Sequence, residues 1–251
     1  MTLEALPAPF RVISFETIGS TNDELRRLAR EGAAEGLIVR ADRQTAGRGR
    51  RGRNWASPPA NLYCSTLICP QCRLADAAQL GFVAALGVAD AIGEVAPAIT
   101  LRCKWPNDLL ANGRKVSGIL LETETTAGER PDFVVLGVGV NLASSPRETP
   151  YPTTSLAEEG TPGVVPATML AVFVRHFAAW LSVWRGEGFA PIRNAWLARA
   201  AGLGEAIQVR LERDTLDGRF LDLDGDGALL LEIAGRSRRI AAGDVFPVRA
   251  A

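Results

Sequence analysis

The segment Leu109-Leu110-Ala111-Asn112-Gly113-Arg114-Lys115-Val116 joins two apolar runs through an Asn-Gly pair. Asn-Gly between apolar runs is the strongest short-range hairpin signal, because both residues of the tight turn need a positive φ. The sequence therefore predicts paired antiparallel strands over 109–111 and 115–124. Such local pairing indicates a sheet that differs from the crossover-connected sheet of a doubly wound fold.

The flanking sequence extends this sheet and adds helices. Thr21 and Glu24 form a capping-box pattern that predicts a helix ending near Gly32. Apolar residues at helical spacing predict a helix over 80–95 and further helical structure over 166–201. We therefore expect an α+β (α/β-layered) fold with a mixed, largely antiparallel sheet. Further strands of that sheet are predicted at 37–41, 61–69, 99–104 and 133–140.

The C-terminal part of the chain has a different pattern. Gly202-Leu203-Gly204 predicts a hinge. Short strands separated by turn residues follow it, which is typical of a small β-barrel. We therefore expect two domains, residues 1–203 and 204–251. The strands predicted after the hinge are 207–211, 218–223, 228–233 and 237–240.

Composition argues against several classes of protein. The chain has 28 Lys+Arg and 28 Asp+Glu, a formal net charge of 0, so no overall field draws it to nucleic acid or an acidic membrane. A hydrophobic content of 47% with 22% charged residues is typical of a folded globular protein. The unbroken apolar runs are far shorter than the ~20 residues that span a bilayer. Residues 1–10 lack the basic start and apolar stretch of a signal peptide, and we expect a cytoplasmic protein.

Cysteine, histidine and aspartate patterns offer metal sites that we consider less favoured. Cys69-Pro-Gln-Cys72 has a zinc-ligand spacing, but a structural zinc site needs four ligands and the sequence has no second such pair. The single histidine, His176, disfavours histidine-based triads and is better explained as a helical residue. Asp222-Leu223-Asp224-Gly225-Asp226-Gly227 resembles half of a calcium loop, yet Ile233 stands at its twelfth position. A hairpin turn is the favoured interpretation there.

The most informative stretch is Gly47-Arg48-Gly49-Arg50-Arg51-Gly52-Arg53, followed by Asn54-Trp55. Glycines let backbone N–H groups approach a ligand and guanidiniums concentrate positive charge, which suits a polyphosphate or an acyl phosphate. The string also fits G-x-G-x-x-G, but a dinucleotide site needs a helix there and Pro58-Pro59 follows soon after. A solvated charge run and a nucleic-acid-binding segment remain alternatives.

Three further motifs carry candidate functional residues. Lys104-Trp105-Pro106-Asn107-Asp108 ends a strand in a turn, where side chains often project toward a site, although Asn-Asp also suits an ordinary turn. Lys115 begins an otherwise apolar strand, so an inward-pointing ammonium needs an anion from the protein or from a ligand. Gly137 and Gly139 interrupt a strand, which indicates that something packs closely against the backbone.

Taken in order, these motifs resemble those of the biotin protein ligases. The resemblance implies a catalytic domain of the class II synthetase or biotin/lipoate-ligase type over residues 1–203, and an SH3-like barrel over 204–251. It also implies two reactions: ATP activates biotin to biotinyl-5'-AMP with release of pyrophosphate, and a lysine of a biotin carboxyl carrier domain then accepts the biotin. The matching stretches are Ser20–Asn22, Gln44–Trp55, Lys104–Asp108, Gly113–Leu120 and Gly137–Asn141.

The resemblance also assigns roles to individual residues. It implies that Lys115, Arg48 and Arg50 are catalytic, that Asp108 handles Mg²⁺, and that ATP and biotin are the substrates. The residues implied to bind biotin are Ser20, Thr21, Asn22, Gln44, Gly47, Arg48, Lys115, Gly118 and Gly137. Those implied to bind the nucleotide are Arg50, Arg53, Trp55, Asn107 and Asn141.

Some members of this family carry an N-terminal helix-turn-helix domain and repress transcription. Here Ser20 already belongs to the implied biotin site, so we expect no DNA binding of that kind. We also expect no membrane association, and a homodimer is compatible with the sequence. A lipoate or octanoate ligase of the same fold is the alternative enzyme, but its run of glycines followed by histidine is missing from this sequence.

Overall fold

The computed structural model describes residues 6–126, 128–149 and 151–247. Its larger sheet contains β1 (Arg11–Ile18), β2 (Leu37–Gln44), β3 (Leu62–Ile68), β4 (Leu101–Lys104), β5 (Asp108–Ala111), β6 (Arg114–Glu124) and β7 (Phe133–Val140). The order across this sheet is β1-β2-β3-β7-β6-β5-β4. Strands β1 and β2 run parallel and the other neighbours antiparallel. The prediction of a mixed, largely antiparallel sheet is therefore confirmed.

The Asn-Gly turn forms the predicted hairpin between β5 and β6. Asn112 and Gly113 have φ values of 48° and 80°, and Ala111 pairs with Arg114 across the turn. Strand β5 pairs with β6 as far as Gly118. Beyond that point β6 continues beside β7 to Glu124, so this hairpin fixes how the long central strand enters the sheet.

Helices cover both faces of the larger sheet. The strand residues Leu37 and Val39 pack in one apolar cluster with Leu25, whereas Ile38 belongs to the other cluster. Because successive side chains of a strand point to opposite faces, the two clusters lie on opposite sides of the sheet. The helices are α1 (Thr21–Arg30), α2 (Leu74–Ala77), α3 (Leu80–Val95), α4 (Pro166–Glu187) and α5 (Phe189–Leu197).

Helix α1 is present as predicted, but the predicted capping box is wrong. Its N-cap is Ser20, and the cap residue makes no side-chain hydrogen bond to the helix. The Thr21 backbone N–H and hydroxyl both donate to Gln44 Oε1, at 2.9 and 3.1 Å. Glu24 instead pairs with Arg27 at 2.6 Å. Gln44 on β2 thus supplies the hydrogen-bond acceptor that the predicted capping box assigned to Glu24.

The C-terminal strands form a second, five-stranded antiparallel sheet, consistent with an SH3-like barrel. Strands β9 and β10 pair on either side of Asp224, with Leu223 opposite Leu229, so the predicted hairpin turn is confirmed. The Asp224 carboxylate accepts the backbone N–H groups of Asp226 and Ala228, each at 2.9 Å. Residues 1–5 and 248–251, which belong to the predicted domains, lie outside the described residues, and the boundary at 203/204 stays a prediction. The strands are β8 (Ala206–Arg210), β9 (Thr215–Leu223), β10 (Leu229–Ile233), β11 (Arg236–Ile240) and β12 (Asp244–Pro247).

Strands β1 and β12 were not predicted. Residues of β1 lie at the edge of the larger sheet and are largely exposed. Its apolar residues Val12, Ile13, Phe15 and Ile18 do not alternate regularly with polar ones, so the usual signal for a half-buried strand is weak. Strand β12 has four residues, too few to show a period.

Two helical stretches, Leu74–Val95 and Pro166–Glu187, are long and apolar enough to cross a membrane when judged by length and composition alone. In their most apolar windows, 72% and 44% of the residues are buried inside the protein. Helix α3 packs against α4 and against the sheet, so much of this apolar surface belongs to the core of the protein.

Gly87 and Gly93 allow a test of this helix packing. A Cβ at Gly87 would lie 3.0 Å from Cα of Phe177 on α4, whereas a Cβ at Gly93 would meet nothing within 4 Å. Alanine is favoured over glycine in a helix interior by roughly 0.8–1 kcal/mol. We therefore expect Gly93→Ala to raise the free energy of unfolding by about that amount and Gly87→Ala to lower it, as measured by urea denaturation. Equal stabilisation by both substitutions would contradict this packing.

Candidate active site

A pocket lies where the N-terminal end of α1, strands β6 and β7 and the Gly47–Arg53 loop meet. It has a cavity volume of about 60 Å³, because the protein's own side chains fill much of it. Gly47 and Asn141 do not line the pocket, but the other sequence-predicted site residues do. Those residues are Ser20, Thr21, Asn22, Gln44, Arg48, Arg50, Arg53, Trp55, Asn107, Asp108, Lys115, Gly118 and Gly137.

Glycines form the floor of the pocket. Gly118 of β6 pairs directly with Gly139 of β7, and a Cβ on either would lie 2.8 or 2.7 Å from the Trp55 indole. A Cβ on Gly137 would lie 2.4 Å from Asn22 Oδ1. Real Cβ atoms do not approach so closely, so a side chain at any of these positions would have to displace Trp55 or Asn22. The close packing expected from the glycines inside β7 is therefore present.

The Trp55 indole lies on this floor and beside a cation. The Lys115 ammonium lies 5.3 Å from the centre of its ring, a favourable cation–π distance. The indole Nε1 is buried and makes no hydrogen bond among the described residues.

Polar side chains form one end of the pocket. Thr21 bonds to Gln44, as described above, and Gln44 Nε2 donates to Ser57 Oγ at 3.1 Å. Ser65 Oγ lies 2.7 Å from Thr21 Oγ1 and 2.5 Å from Asn22 Oδ1. Ser65 was not predicted, although a serine inside the apolar strand β3 is a buried polar group that needs a partner. These groups present hydrogen-bond donors and acceptors close together.

Lys115 and Asp108 also line the pocket, and Lys104 lies next to them. Lys115 Nζ lies 2.6 Å from Asp108 Oδ1, and Lys104 Nζ lies 3.6 Å from Asp108 Oδ2. Burial lowers the pKa of Lys104, with Asp108 opposing the shift. Tyr151, which no motif indicated, lies beside both ammonium groups. The centre of its ring is 5.1 Å from Lys115 Nζ and 5.6 Å from Lys104 Nζ. Asp108 is thus the anion that Lys115 required, and the cluster retains an excess positive charge that suits an anionic ligand.

Arg48 of the loop pairs with acidic residues of α1 and β6. Both terminal guanidinium nitrogens donate to the Asp23 carboxylate, and Nη2 also lies 3.2 Å from Glu122 Oε1. The Arg48 guanidinium lowers the pKa of Asp23, chiefly through these hydrogen bonds. Arg48 is thereby held at the edge of the pocket.

The other arginines of the loop contact the C-terminal sheet. Asp244 at the start of β12 lies 3.8, 3.6 and 3.0 Å from Arg50, Arg51 and Arg53. Arg50 also donates to the Gly243 carbonyl at 3.2 Å, and burial lowers its pKa. Because these guanidiniums have protein partners, the loop differs from the freely solvated charge run considered as an alternative.

Gly47 and Asn141 have structural contacts. A Cβ on Gly47 would lie 2.7 Å from the Trp55 carbonyl oxygen, so glycine allows the loop to close. Asn141 is buried, and its Nδ2 donates to the Thr154 carbonyl at 3.0 Å. The implied contacts of Gly47 with biotin and of Asn141 with the nucleotide stay predictions.

The remaining sequence candidates lie away from the pocket. Cys69 and Cys72 are free, partly buried thiols. His176 lies on α4 with Nε2 2.8 Å from Glu94 Oε2, in keeping with the preferred interpretation as a helical residue. Within residues 6–126, 128–149 and 151–247, no three His, Cys, Asp or Glu side chains form a group that could hold a metal ion.

Comparisons with known proteins agree with this fold and site. Residues 54–198 match the Biotin/lipoate A/B protein ligase family, and residues 202–246 match the Biotin protein ligase C terminal domain. The fold and the site therefore define a ligase of the biotin/lipoate class. The chain is 44% identical to a biotin–(acetyl-CoA-carboxylase) ligase of Paracoccus denitrificans, over 90% of this chain and 96% of that protein. The chain belongs to the biotin protein ligase family.

Two further relatives support this assignment. The chain is 33% identical to the biotin–(acetyl-CoA-carboxylase) ligase of Mycobacterium tuberculosis, over 92% of this chain and 86% of that protein. Its structure is similar to that of a biotin protein ligase from Aquifex aeolicus in complex with biotin and ATP, with a TM-score of 0.81 and 28% identity. That match covers 94% of this chain and 97% of the Aquifex chain. The predicted family and enzyme class are confirmed.

Replacing Asp244 tests whether its ion pairs with the arginines order the loop. We expect Asp244→Asn to speed amide hydrogen exchange in residues 49–53 roughly two- to fivefold, because partly exposed ion pairs each contribute up to about 1 kcal/mol. Asp217→Asn is a matched control in the same sheet, since Asp217 accepts a hydrogen bond from Gln208 rather than from the loop. Unchanged exchange in the Asp244 variant would show that the loop does not depend on this carboxylate.

Proposed function

We propose that this protein is a biotin protein ligase that activates biotin with ATP and transfers it to a lysine of a carrier domain. The observation that carries the proposal is the arrangement of one pocket in a chain of this family. Its lining combines hydrogen-bonding side chains, a glycine floor and the Lys115 ammonium, and Lys104 lies next to that lysine on the shared partner Asp108. Biotin has the matching form, with a polar ureido ring at one end and a carboxylate at the other.

The polar end suits the ureido group, which has two N–H donors and one carbonyl acceptor. Thr21, Asn22, Ser65 and Gln44 supply hydroxyl and amide groups that serve as donors and acceptors. The glycine floor leaves room for the rest of the molecule, provided that the Trp55 indole moves from its present position. The biotin carboxylate would then lie near Lys115.

In the first step the biotin carboxylate oxygen attacks the α-phosphorus of ATP. A new oxygen–phosphorus bond forms, the bond between the α- and β-phosphates breaks, and pyrophosphate leaves. A carboxylate is already a nucleophile at neutral pH, so the protein needs to position the reactants and neutralise charge. Lys115, Arg48 and Arg50 are the cations that we assign to this task.

In the second step the amine of the carrier lysine attacks the biotinyl carbonyl carbon. An amide bond forms, AMP leaves, and the amine loses a proton. The adenylate must be kept from water until the carrier arrives. Arg48 of the loop and Trp55, which follows the loop, line the pocket, and we assign to this segment the exclusion of water.

Asp108 is the residue that we propose to hold Mg²⁺. This ion is commonly bound by one or two carboxylates together with substrate phosphates, and Asp108 is a carboxylate in the pocket, close to Asn107. When bound, the ion would neutralise phosphate charge. Lys104 and Lys115, which now pair with Asp108, would then be free to contact the phosphates themselves.

We further propose that the acceptor is the biotin carboxyl carrier domain of a biotin-dependent carboxylase, as the name of the Paracoccus relative suggests. We place the reaction in the cytoplasm, in keeping with the free thiols of Cys64, Cys69, Cys72 and Cys103. Neither a nucleic acid, a membrane nor a second copy of the chain is needed for this function.

The choice of acid is tested by offering ATP with biotin, lipoate or octanoate. We expect biotin to drive pyrophosphate release, because lipoate and octanoate would leave the buried polar end without partners, which is costly. Mass spectrometry of an added carrier domain should show one biotinyl group on a lysine. Equal or faster turnover with lipoate would contradict the proposal.

Lys115→Ala tests the cationic end. A charge-assisted contact contributes about 1.5–3 kcal/mol, so adenylate formation should slow roughly 10- to 150-fold. The thermal midpoint should fall only modestly, because Lys104 remains beside Asp108.

Arg114→Ala is the matched control for this variant. Arg114 precedes Lys115 on the same strand but pairs with Glu159 away from the pocket. Pyrophosphate release should therefore be nearly normal in Arg114→Ala. Full activity in a stably folded Lys115→Ala protein would exclude the catalytic role.

A further inference from the structure

Glu122 is a carboxylate outside every sequence motif that nevertheless contacts the site. It lies on β6 and accepts a hydrogen bond from Asn22 Nδ2 at 2.7 Å. Its Oε1 lies 2.8 Å from Arg26 Nη2 and 3.2 Å from Arg48 Nη2. One side chain thus joins the polar end of the pocket, through Asn22, to the loop that covers it, through Arg48.

The contacts of Asn22 fix the orientation of its amide. An ionised carboxylate only accepts hydrogen bonds, so Glu122 requires the NH₂ group of the amide on its side. Ser65, whose hydroxyl can donate, lies against the amide oxygen at 2.5 Å. Because Gly137 lacks a side chain, the amide can pack directly on β7. Asn22, which lines the pocket, is therefore held in a single amide orientation.

Glu122 is suited to this task because it remains ionised. Burial alone would raise the pKa of Glu122, but the hydrogen bond from Asn22 and the charges of Arg26 and Arg48 outweigh it and leave the pKa lowered. The carboxylate is therefore an acceptor at neutral pH. Asp23 also binds the Arg48 guanidinium. Within the described residues, Glu122 is the carboxylate that contacts both Arg48 and Asn22.

We propose that Glu122 is a positioning residue for biotin binding, which orients the Asn22 amide and holds Arg48 at the pocket in one arrangement. This inference rests on the proposed biotin ligase function. Binding is tighter when the groups that contact the ligand are ordered beforehand, since less conformational freedom is then lost on association. Glu122 acts through Asn22 and Arg48, and it does not itself contact the reacting atoms.

Glu122→Gln tests the proposal by preserving shape while removing the charge. A glutamine amide has one oxygen acceptor and one NH₂ donor. If its oxygen faces Asn22, its NH₂ group faces the guanidiniums of Arg26 and Arg48, and the reverse orientation places two NH₂ groups against each other. The glutamine therefore cannot accept hydrogen bonds from both sides. We expect the KM for biotin in pyrophosphate release to rise about tenfold, the effect of removing one charge-assisted hydrogen bond. The KM for ATP should stay within about twofold of the wild-type value, since the described contacts of Glu122 are with Asn22, Arg26 and Arg48.

Glu124→Gln is a closely matched control. Glu124 lies two residues further along β6, on the same face, and pairs with Arg30 of α1 at 2.7 Å. Each substitution thus removes one carboxylate that links β6 to α1. A merely structural role of Glu122 would give the two variants similar thermal midpoints and the same biotin KM. A raised biotin KM in Glu122→Gln alone supports positioning, and equal biotin KM values would overturn it.

A double-substitution cycle identifies the residue through which Glu122 acts. If Glu122 orients Asn22, the biotin KM of Asn22→Ala combined with Glu122→Gln should rise by less than the product of the two single effects. The same should hold for Arg48→Ala combined with Glu122→Gln. If the two single-substitution effects on the biotin KM multiply fully in both cycles, the inference is overturned.

Arg26→Gln provides a second route if Glu122→Gln does not fold. Arg26 lies on α1, forms an ion pair with Glu122 and does not line the pocket. Removing the Arg26 guanidinium should therefore raise the biotin KM severalfold in a folded protein. An unchanged biotin KM in this variant would then overturn the inference. Failure of the proposed function would look different, because the wild-type protein itself would release no pyrophosphate with biotin.

Discussion

The pairing of Gly118 with Gly139 across β6 and β7 is the constraint on which the site depends. Two strands can form a pocket floor at the centre of a sheet only where neither carries a side chain on that face. The Asn112-Gly113 hairpin sets the position of β6, and a slip of one residue would reverse the faces of every side chain after it. The same turn that defines the fold thereby places the floor and Lys115.

Charge in this protein is balanced locally as well as overall. The net charge is 0, yet the pocket collects lysines and arginines, each paired with a nearby carboxylate. Asp108 serves the lysines, while Asp23, Glu122 and Asp244 serve the loop. Such pairing stabilises the cations in the absence of substrate, at the cost that an incoming anion must compete with these carboxylates. The balance favours a ligand with several negative charges over one with a single charge.

Much of the site was predictable from sequence because its chemistry is local. Glycines inside a strand, the arginine loop and a lysine at the start of an apolar strand each have a pattern within a few residues. Glu122, Tyr151 and Asp244 have no such pattern. Glu122 meets Asn22 across 100 residues of chain, and Asp244 meets Arg53 across 191. The capping box failed for the same reason, since the distant Gln44 supplies the acceptor.

Through Asp244, the small C-terminal sheet contributes to the site as well as to its own stability. A carboxylate from that sheet is the counter-charge of three arginines in a loop that ends 191 residues earlier in the chain. The two parts therefore do not behave as interchangeable modules. A chimera that joined this catalytic part to another protein's C-terminal barrel would lose a component of the site unless the donor barrel supplied an acidic side chain at the corresponding place.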